Sequence, residues 1–487
     1  MRHPVRVILG ALLAAGAVSA AHIDSRLVDA EKKSDKAEVR ALLQQHLDVN
    51  ATAVDGDTAL HWAAYWDDLE TARLLLDAGA NVNTANRYGV TPLSLAATNG
   101  SAALIDLLLK AKADPNGSLT GGETPLMTAA RTGKVEAVKA LLVNGADVKA
   151  KDDERGQTAL MWASAEGNTA AVEMLIEHGA DLHAVSKGGF TALLFAVRQG
   201  KPDVVRTLLK AGADVNETLQ KPSRQAGTSA MCLAVANAHF ELAAMLLDAG
   251  ADPNAAAQGW TALHTVTWIR QPGYASNDPA PEGSGNMNSI EFVKKIVAKG
   301  ANLNARITRR TNAGLSSLNY IGATPFLLAA RTGDAELMRL FAKLGADPLI
   351  PNADNTTPLM VAAGVGTRSP GEDAGTEPEV LEAVKVALEL GNDINAVDKN
   401  GETGMHGAAY KQVPSTAQYL LDHGAKIEVF NHKNSHGWTP LRIADGVHRG
   451  MNLRSSPETA AVLRKAMSAA GVSTIVDPEG VISGATK

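Results

Sequence analysis

Histidine residues offer the clearest chance of chemistry in this sequence. His61, His264 and His406 each stand three residues after a threonine, and an imidazole can act as a general base or bind a metal ion. His432 and His436 are four residues apart, the spacing of two zinc ligands on one helix face, but the glutamate of that metalloprotease pattern is absent. None of the five completes a recognisable catalytic or zinc-binding arrangement.

A short acidic segment offers a second possibility, a calcium site. Residues 367–379 include the four carboxylates Glu372, Asp373, Glu377 and Glu379, yet their spacing does not match an EF-hand loop. Cys232 is the single cysteine, which excludes an internal disulfide and a zinc site with several thiolates. The sequence also contains no G-x-S-x-G, no P-loop and no dinucleotide-binding fingerprint. We therefore predict no catalytic residue, no cofactor and no bound metal ion.

The elements that position these residues must be built with few aromatic side chains. Aromatic residues make up 4% of the sequence, so the core has to consist mainly of Ala, Leu and Val. Such a core favours thin, closely packed helices over a β-sandwich or barrel. The 46 basic and 52 acidic residues give a net charge of −6. A net-acidic chain without a dense basic face is a poor nucleic-acid binder, so we expect no nucleic-acid partner.

The first twenty residues have the layout of a secretory signal peptide. Arg2 and Arg6 form a short positive region, an apolar run covers 7–18, and the small residues Val18 and Ala20 precede a cleavage point. The run is shorter than the roughly 20 residues that span a bilayer. A buried N-terminal helix is the alternative. We expect residues 1–20 to be removed and the rest to be exported, to a periplasm or out of the cell, without a membrane span.

A pattern close to Gly-x-Thr-Pro-Leu-x-x-Ala-Ala dominates the rest of the chain. Successive threonines such as Thr58, Thr91 and Thr124 are 33 residues apart. The eleven copies of the pattern begin at Gly56, Gly89, Gly122, Gly156, Gly189, Gly227, Gly259, Gly322, Asn355, Gly401 and Gly437.

Each position in the pattern has a physical role in a pair of helices. The threonine can cap the first helix, and a proline such as Pro92 is tolerated in the first turn because its missing N–H has no partner there. A glycine such as Gly79 ends the second helix in a left-handed conformation. Because one helix pair cannot bury its apolar face alone, the pairs must stack.

This pattern resembles the ankyrin repeat, and the whole arrangement is similar to that of secreted bacterial ankyrin-repeat proteins. The resemblance implies an all-α solenoid of about twelve helix-turn-helix units over residues 22–470. Within it we expect an N-terminal cap at 24–50 and a closing helix at 457–468, followed by a flexible tail at 471–487. In this family the histidine of the pattern hydrogen-bonds to a neighbouring loop, which is the role implied for His61, His264 and His406. We expect a monomer.

Four insertions interrupt the 33-residue period. Residues 269–289, 367–379 and 447–456 separate the two helices of one pair, whereas 306–320 extends a loop between pairs. Insertions in repeat proteins often lie on the binding face. Solvated filler is the equally open alternative, because long surface loops cost little stability.

The resemblance also implies where a partner binds. Ankyrin repeats use the hairpin tips and the exposed ends of the first helix of each pair. At these positions the sequence carries mainly Trp, Tyr and Arg, which anchor protein interfaces. Packing of each aromatic on an adjacent repeat is the alternative. With Tyr274 from the first insertion included, the candidate residues are Tyr65, Trp66, Arg87, Tyr88, Arg131, Glu166, Phe190, Arg198, Trp260, Trp268, Tyr274, Arg331, Tyr410 and Trp438.

Two functions remain open from the sequence. The first is a non-catalytic scaffold that binds a partner protein through its concave face and hairpin tips. The second is a hydrolase or metal-dependent enzyme whose site is built from the inserted loops 269–289 and 367–379. Fold alone does not decide between them, but binding is the usual role of this family, so the scaffold is our leading hypothesis.

Overall fold

The computed structural model describes residues 24–271, 281–310, 316–371, 373–449 and 452–475. The chain forms two compact units, Met1–Glu154 (unit 1) and Arg155–Lys487 (unit 2). The expected signal peptide, the candidate Tyr274 and most of the expected tail lie outside the described residues. In the part of the chain that is described, no helix has the length and apolar character needed to cross a membrane.

Unit 1 consists of four helix pairs, of which the first is formed by residues of the expected N-terminal cap. Its helices are α1 (Arg26–Lys32), α2 (Lys36–Gln44), α3 (Ala59–Tyr65), α4 (Leu69–Asp77), α5 (Pro92–Asn99), α6 (Ala102–Lys110), α7 (Pro125–Thr132) and α8 (Val135–Val143). The first helix of each pair is here called the inner helix and the second the outer helix. Within unit 1, neighbouring inner helices pack on each other, α1 on α3, α3 on α5 and α5 on α7.

Unit 2 continues the same scheme with eight further pairs, giving twelve in the described residues and confirming the all-α repeat prediction. Its helices are α9 (Ala159–Glu166), α10 (Thr169–Glu177), α11 (Ala192–Arg198), α12 (Pro202–Lys210), α13 (Ala230–Ala236), α14 (Phe240–Asp248), α15 (Ala262–Arg270), α16 (Ser289–Ala298), α17 (Pro325–Arg331), α18 (Ala335–Lys343), α19 (Pro358–Ala363), α20 (Glu377–Glu389), α21 (Gly404–Lys411), α22 (Pro414–Asp422), the single turn α23 (Ile427–Phe430), α24 (Pro440–Asp445) and α25 (Pro457–Ala469). The insertion at 447–456 forms an antiparallel hairpin of β1 (Val447–Arg449) and β2 (Asn452–Arg454).

The repeated threonine starts the inner helices as the sequence predicts. Before α5, the Thr91 side chain accepts a hydrogen bond from the Ser94 N–H, and Pro92 occupies the first turn. These contacts satisfy N–H groups that have no partner within the helix. The same helix ends at Gly100, whose φ of 73° lies in the left-handed region that glycine adopts without strain.

An asparagine ladder joins the turns that follow the outer helices of unit 1. Asn83 donates to the Lys112 carbonyl at 3.0 Å and accepts from the Asp114 N–H at 2.8 Å. Asn50 and Asn116 make the same pair of bonds to the turn that follows each of them. Because a side-chain amide carries both a donor and an acceptor, one asparagine satisfies two backbone groups of the next turn.

Small and aliphatic side chains fill the core between helix pairs. Leu60, Leu93 and Leu126, one repeat apart, are at most 1% exposed, and the neighbouring alanines are fully buried. The narrow alanines let adjacent inner helices approach closely, as the composition predicts. Burial of each such leucine contributes about 1.5–3 kcal/mol.

Glu31 in α1 is an exception to this apolar core. Its side chain is fully buried, and neither carboxylate oxygen has a hydrogen-bond donor among the described residues. Burial, reinforced by the nearby Asp68, raises the pKa of Glu31 to about 7, although Lys36 opposes the shift. The folded chain therefore holds a proton on Glu31 at a pH where the unfolded chain has lost it.

We expect Glu31→Gln to stabilise unit 1 above neutral pH. With a raised folded pKa, stability is highest below the ordinary pKa near 4.5 and falls as the pH rises towards 7. After allowance for solvent screening, the gain at pH 8 should be about 2 kcal/mol, with almost none at pH 4. Hydrogen exchange of unit 1 amides at the two pH values measures it, and Glu38→Gln on the exposed face of α2 is the control. An equal effect at both pH values would contradict the assignment.

Candidate functional site

In two repeats of unit 2, the residue just before the capping threonine and the residue eight positions later lie side by side on the inner-helix face. At α11 the pair is Phe190, which precedes the helix, and Arg198, its last residue. At α15 the pair is Trp260, which precedes the helix, and Trp268 within it. All four side chains are half-buried. Each of these residues is predicted separately from the sequence, and the structure brings them together in pairs.

The pair on α11 places a cation on aromatic rings. The Arg198 guanidinium carbon lies 4.6 Å from the Phe190 ring centroid and 5.1 Å from that of Phe195. The two rings are themselves 5.1 Å apart. Burial lowers the pKa of Arg198 from its ordinary value, but a guanidinium group keeps its charge near neutral pH. The side chain is therefore a partly desolvated cation held in place by two rings.

The pair on α15 is aromatic and apolar. The rings of Trp260 and Trp268 meet edge to face at a centroid distance of 5.8 Å and an interplanar angle of 76°. Between α11 and α15 lies α13, which packs on both of them and carries only Ala236 at the position of Arg198 and Trp268. Phe190, Arg198, Ala236, Trp260 and Trp268 thus line one stretch of the inner-helix face, with large side chains at both ends and a small one in the middle. This stretch is here called the α11–α15 trough.

Unit 1 carries a second aromatic group on its inner helices. Tyr65 and Trp66 at the end of α3 are 51% and 47% exposed, and their rings pack edge to face at 4.8 Å. Trp62 supports both rings from below, at 5.6 Å from Tyr65 and 6.5 Å from Trp66. At the hairpin tip, Tyr88 is 62% exposed. Tyr65, Trp66 and Tyr88 are therefore exposed enough to contact a partner.

The remaining candidates differ in how free they are to bind a partner. Arg87 is exposed at its hairpin tip but donates to the Val54 carbonyl. Arg131 pairs with Glu123 at 3.3 Å, Glu166 is exposed at the end of α9, and Trp438 stacks on His436 at 4.9 Å.

The expectation that Arg331 and Tyr410 face solvent is wrong. Arg331 is 5% exposed and Tyr410 is 4% exposed. The Tyr410 hydroxyl donates to Glu402 at 3.0 Å and accepts from the Asn434 side chain at 2.7 Å. Tyr410 can be buried because Glu402 in its own repeat and Asn434 in the next repeat supply hydrogen-bond partners for its hydroxyl group.

Arg331 is buried because two insertions close over it. The Ser317 N–H donates to the Gly366 carbonyl at 2.9 Å, and Arg331 reaches Ser316 at 3.4 Å. Leu318 and Tyr320 are 8% exposed. The segment 316–320 thus crosses the ends of the inner helices α17 and α19, which removes this part of the inner-helix face from a partner's reach.

Asp373 of the insertion 367–379 completes the cover. Its carboxylate accepts from Arg331 at 2.7 Å and from Thr367 at 2.7 Å, and it lies 3.8 Å from the Lys411 ammonium. Burial alone would raise the pKa of Asp373, but the two cations outweigh it and lower that pKa. Burial lowers the pKa of Lys411 to about 8, with Asp373 opposing the shift. No local sequence pattern indicates this cluster, because Asp373 lies 42 residues from Arg331.

Three carboxylates of the acidic segment that suggested calcium binding make contacts within the fold, and the fourth, Glu372, lies outside the described residues. Besides Asp373, Glu379 caps α20 by accepting from the Thr376 N–H, and Glu377 accepts from the Ser415 N–H. Within the described ranges there is no group of three or more His, Cys, Asp or Glu side chains placed to hold a metal ion.

The two loops of the enzyme hypothesis pack on different helices where they are described. In the first, the Ser284 N–H donates to His239 and the Asn286 N–H donates to Glu241, so that it rests on the turn between α13 and α14. The second packs on α17 and α21 through Asp373. The described parts of the loops do not form a shared site.

His61 and His264 make the loop contacts implied by the resemblance, whereas the Nε2 atom of His406 has no hydrogen-bond partner among the described residues. His61 Nε2 lies 3.0 Å from the Val90 carbonyl oxygen, and His264 Nε2 lies 3.2 Å from that of Ala323. The other ring nitrogen of each contacts the capping threonine at 2.9 Å. Burial lowers the pKa of His264 to about 4, so its ring is neutral in the folded chain. The structural role expected for these two residues is confirmed.

Comparison with known proteins gives two family matches. The family described as ankyrin repeats (3 copies) matches residues 27–118, 84–152, 126–219 and 376–446, which together exceed half of the chain. The family described as ankyrin repeats (many copies) matches residues 231–276.

Two proteins of Caenorhabditis elegans are similar over shorter stretches. The transient receptor potential cation channel subfamily A member 1 homolog is 31% identical over 154 residues, which are 29% of this chain and 11% of that protein. Protein lin-12 is 29% identical over 172 residues, which are 34% of this chain and 10% of that protein. The chain thus spans about a tenth of the length of these relatives.

Proposed function

Because the chain belongs to the ankyrin-repeat family, whose repeats are generally protein–protein interaction modules, we propose that it is a non-catalytic scaffold for a partner protein. The observation that carries the proposal is the presence of two half-buried side-chain pairs on the inner-helix face, Phe190 with Arg198 and Trp260 with Trp268. Trp and Arg are residue types that anchor interfaces, and in the trough these side chains contact one another.

We propose two binding surfaces, one in each unit. The surface in unit 1 comprises Tyr65, Trp66 and the hairpin tip at Tyr88, and the surface in unit 2 comprises the α11–α15 trough. Residues 316–320 and 367–379 set the limit of the second surface, because they already occupy the ends of α17 and α19. On the strength of the leader pattern in residues 1–20, we also propose that the scaffold acts after export.

Affinity capture with substituted chains tests the scaffold. We expect Trp66→Ala or Trp268→Ala to reduce the captured partner at least tenfold, because an aromatic anchor typically contributes about 1–2 kcal/mol or more to binding. The matched control is Val143→Ala, since Val143 is 70% exposed but lies on the outer helix α8. Equal capture by all four chains would show that the inner-helix face does not bind.

A further inference from the structure

The α11–α15 trough has a charge and a shape that select among protein partners. Resting on the proposed function, we propose that the trough binds an extended peptide segment that places one carboxylate on Arg198 and a large apolar side chain against Trp260 and Trp268.

Arg198 differs from other arginines in the last turn of inner helices. Arg131 pairs with Glu123 at 3.3 Å, Arg270 with Asp334 at 2.6 Å, and Arg331 with Asp373 at 2.7 Å. Arg198 instead contacts two phenyl rings and has no ion pair or side-chain hydrogen bond with any described residue. A guanidinium carries five N–H donors, and a partly buried charge is costly until it is paired. The missing group is an anion, and a peptide supplies it as a carboxylate.

The trough also fixes the distance between the two contacts. Packed helices lie about 8–10 Å apart, so α11 and α15, separated by α13, lie about 16–20 Å apart. An extended chain advances about 3.3 Å per residue. The acidic residue and the apolar residue should therefore be about five or six positions apart in the bound segment. Between them, α13 carries the small side chain of Ala236.

Glu166 limits how acidic the segment can be. It is exposed at the end of α9, which packs on α11 from the side opposite to α13. A run of carboxylates reaching past Arg198 would be repelled by Glu166, whereas a basic residue would be attracted. The neighbouring helix spacing of about 8–10 Å corresponds to about three extended residues. The expected order is therefore a basic residue, an acidic residue about three positions on, and a large apolar residue after five or six more.

Selection from a phage-displayed library of random 12-residue peptides tests the proposal on the full chain. We expect the selected sequences to share an acidic residue and a Trp, Phe, Leu or Ile at the stated spacing. The same selection on Arg198→Glu should yield Lys or Arg in place of the acidic residue, because the charge it meets is reversed. A fluorescein-labelled copy of a selected peptide should bind Arg198→Gln at least tenfold more weakly, whereas Arg198→Lys should lose less than that.

The control is Arg206→Glu, which reverses an exposed arginine on the outer helix α12 and should change neither selection nor affinity. Peptides that depend on Trp268 but show no acidic residue and no response to Arg198→Glu would overturn the carboxylate assignment and leave the scaffold standing. Peptides indifferent to every trough substitution would place binding elsewhere. Failure to select any peptide would overturn the inference, whereas the affinity-capture experiment would still decide the proposed function.

Discussion

Asp373→Ala is expected to destabilise unit 2 by about 3–5 kcal/mol, the cost of removing one partner from a buried ion pair. The carboxylate lies between Arg331, which is 5% exposed, and the buried Lys411. Without it, two cations face each other in the interior with no anion at hydrogen-bond distance. The insertion 367–379 also loses its attachment to α17. Urea unfolding, together with hydrogen exchange of the α17–α21 amides, measures both effects.

A double substitution separates charge from packing in this cluster. We expect Lys411→Met in the Asp373→Ala background to restore part of the lost stability, because one uncompensated cation is then removed. Asp422→Ala, at an exposed position of α22, is the control and should change stability by less than about 0.5 kcal/mol. A loss below about 1 kcal/mol for Asp373→Ala would mean that water compensates the two cations as well as the carboxylate does.

Protonation of the unfolded chain at His264 and His406 is expected to make unit 2 less stable as the pH falls from about 6.5 to about 4, although Glu217, whose pKa burial raises to about 7, opposes the change. Burial lowers the pKa of His264 to about 4 and that of His406 to about 3, from an ordinary value of 6.5. Within that interval the unfolded chain binds protons that the folded chain does not, so its free energy falls relative to the folded state. The shift at His264 alone corresponds to a loss of about 3 kcal/mol.

Urea unfolding at a series of pH values tests this dependence. His264→Gln should lower stability at neutral pH, because the contacts of the ring to Thr261 and Ala323 are altered, but it should also flatten the decline below pH 6.5. The decline that remains is assigned to His406. His178→Gln, at an exposed position after α10, should leave the pH profile unchanged. An unaltered slope in His264→Gln would mean that other groups cause the acid sensitivity.

The fold could be predicted from the sequence because each helix boundary is encoded locally. Thr91, Pro92 and Gly100 specify the start and end of α5 by side-chain capping and backbone preference, and the 33-residue period repeats those signals along the chain. Local rules of this kind need no knowledge of the partner repeat. The hairpin β1–β2 was missed for the opposite reason, since its strands are short and defined by their mutual pairing.

The candidate site could be predicted in position but not in accessibility. The sequence places Arg198 and Arg331 at equivalent positions, yet only Arg331 meets a distant insertion that carries Asp373. Tyr410 likewise depends on Asn434, 24 residues away. Whether a repeat position is open or covered thus depends on long-range contacts that no local pattern reports.

The asparagine ladder determines how unit 1 responds to chemical ageing. Hydrolysis of the Asn83 amide to an acid would leave the Lys112 carbonyl without its donor and set a negative charge against it. The bonds made by Asn50 and Asn116 would persist, since each asparagine reaches only the turn that follows it. Deamidation of one asparagine therefore weakens a single junction between repeats and leaves the neighbouring junctions intact.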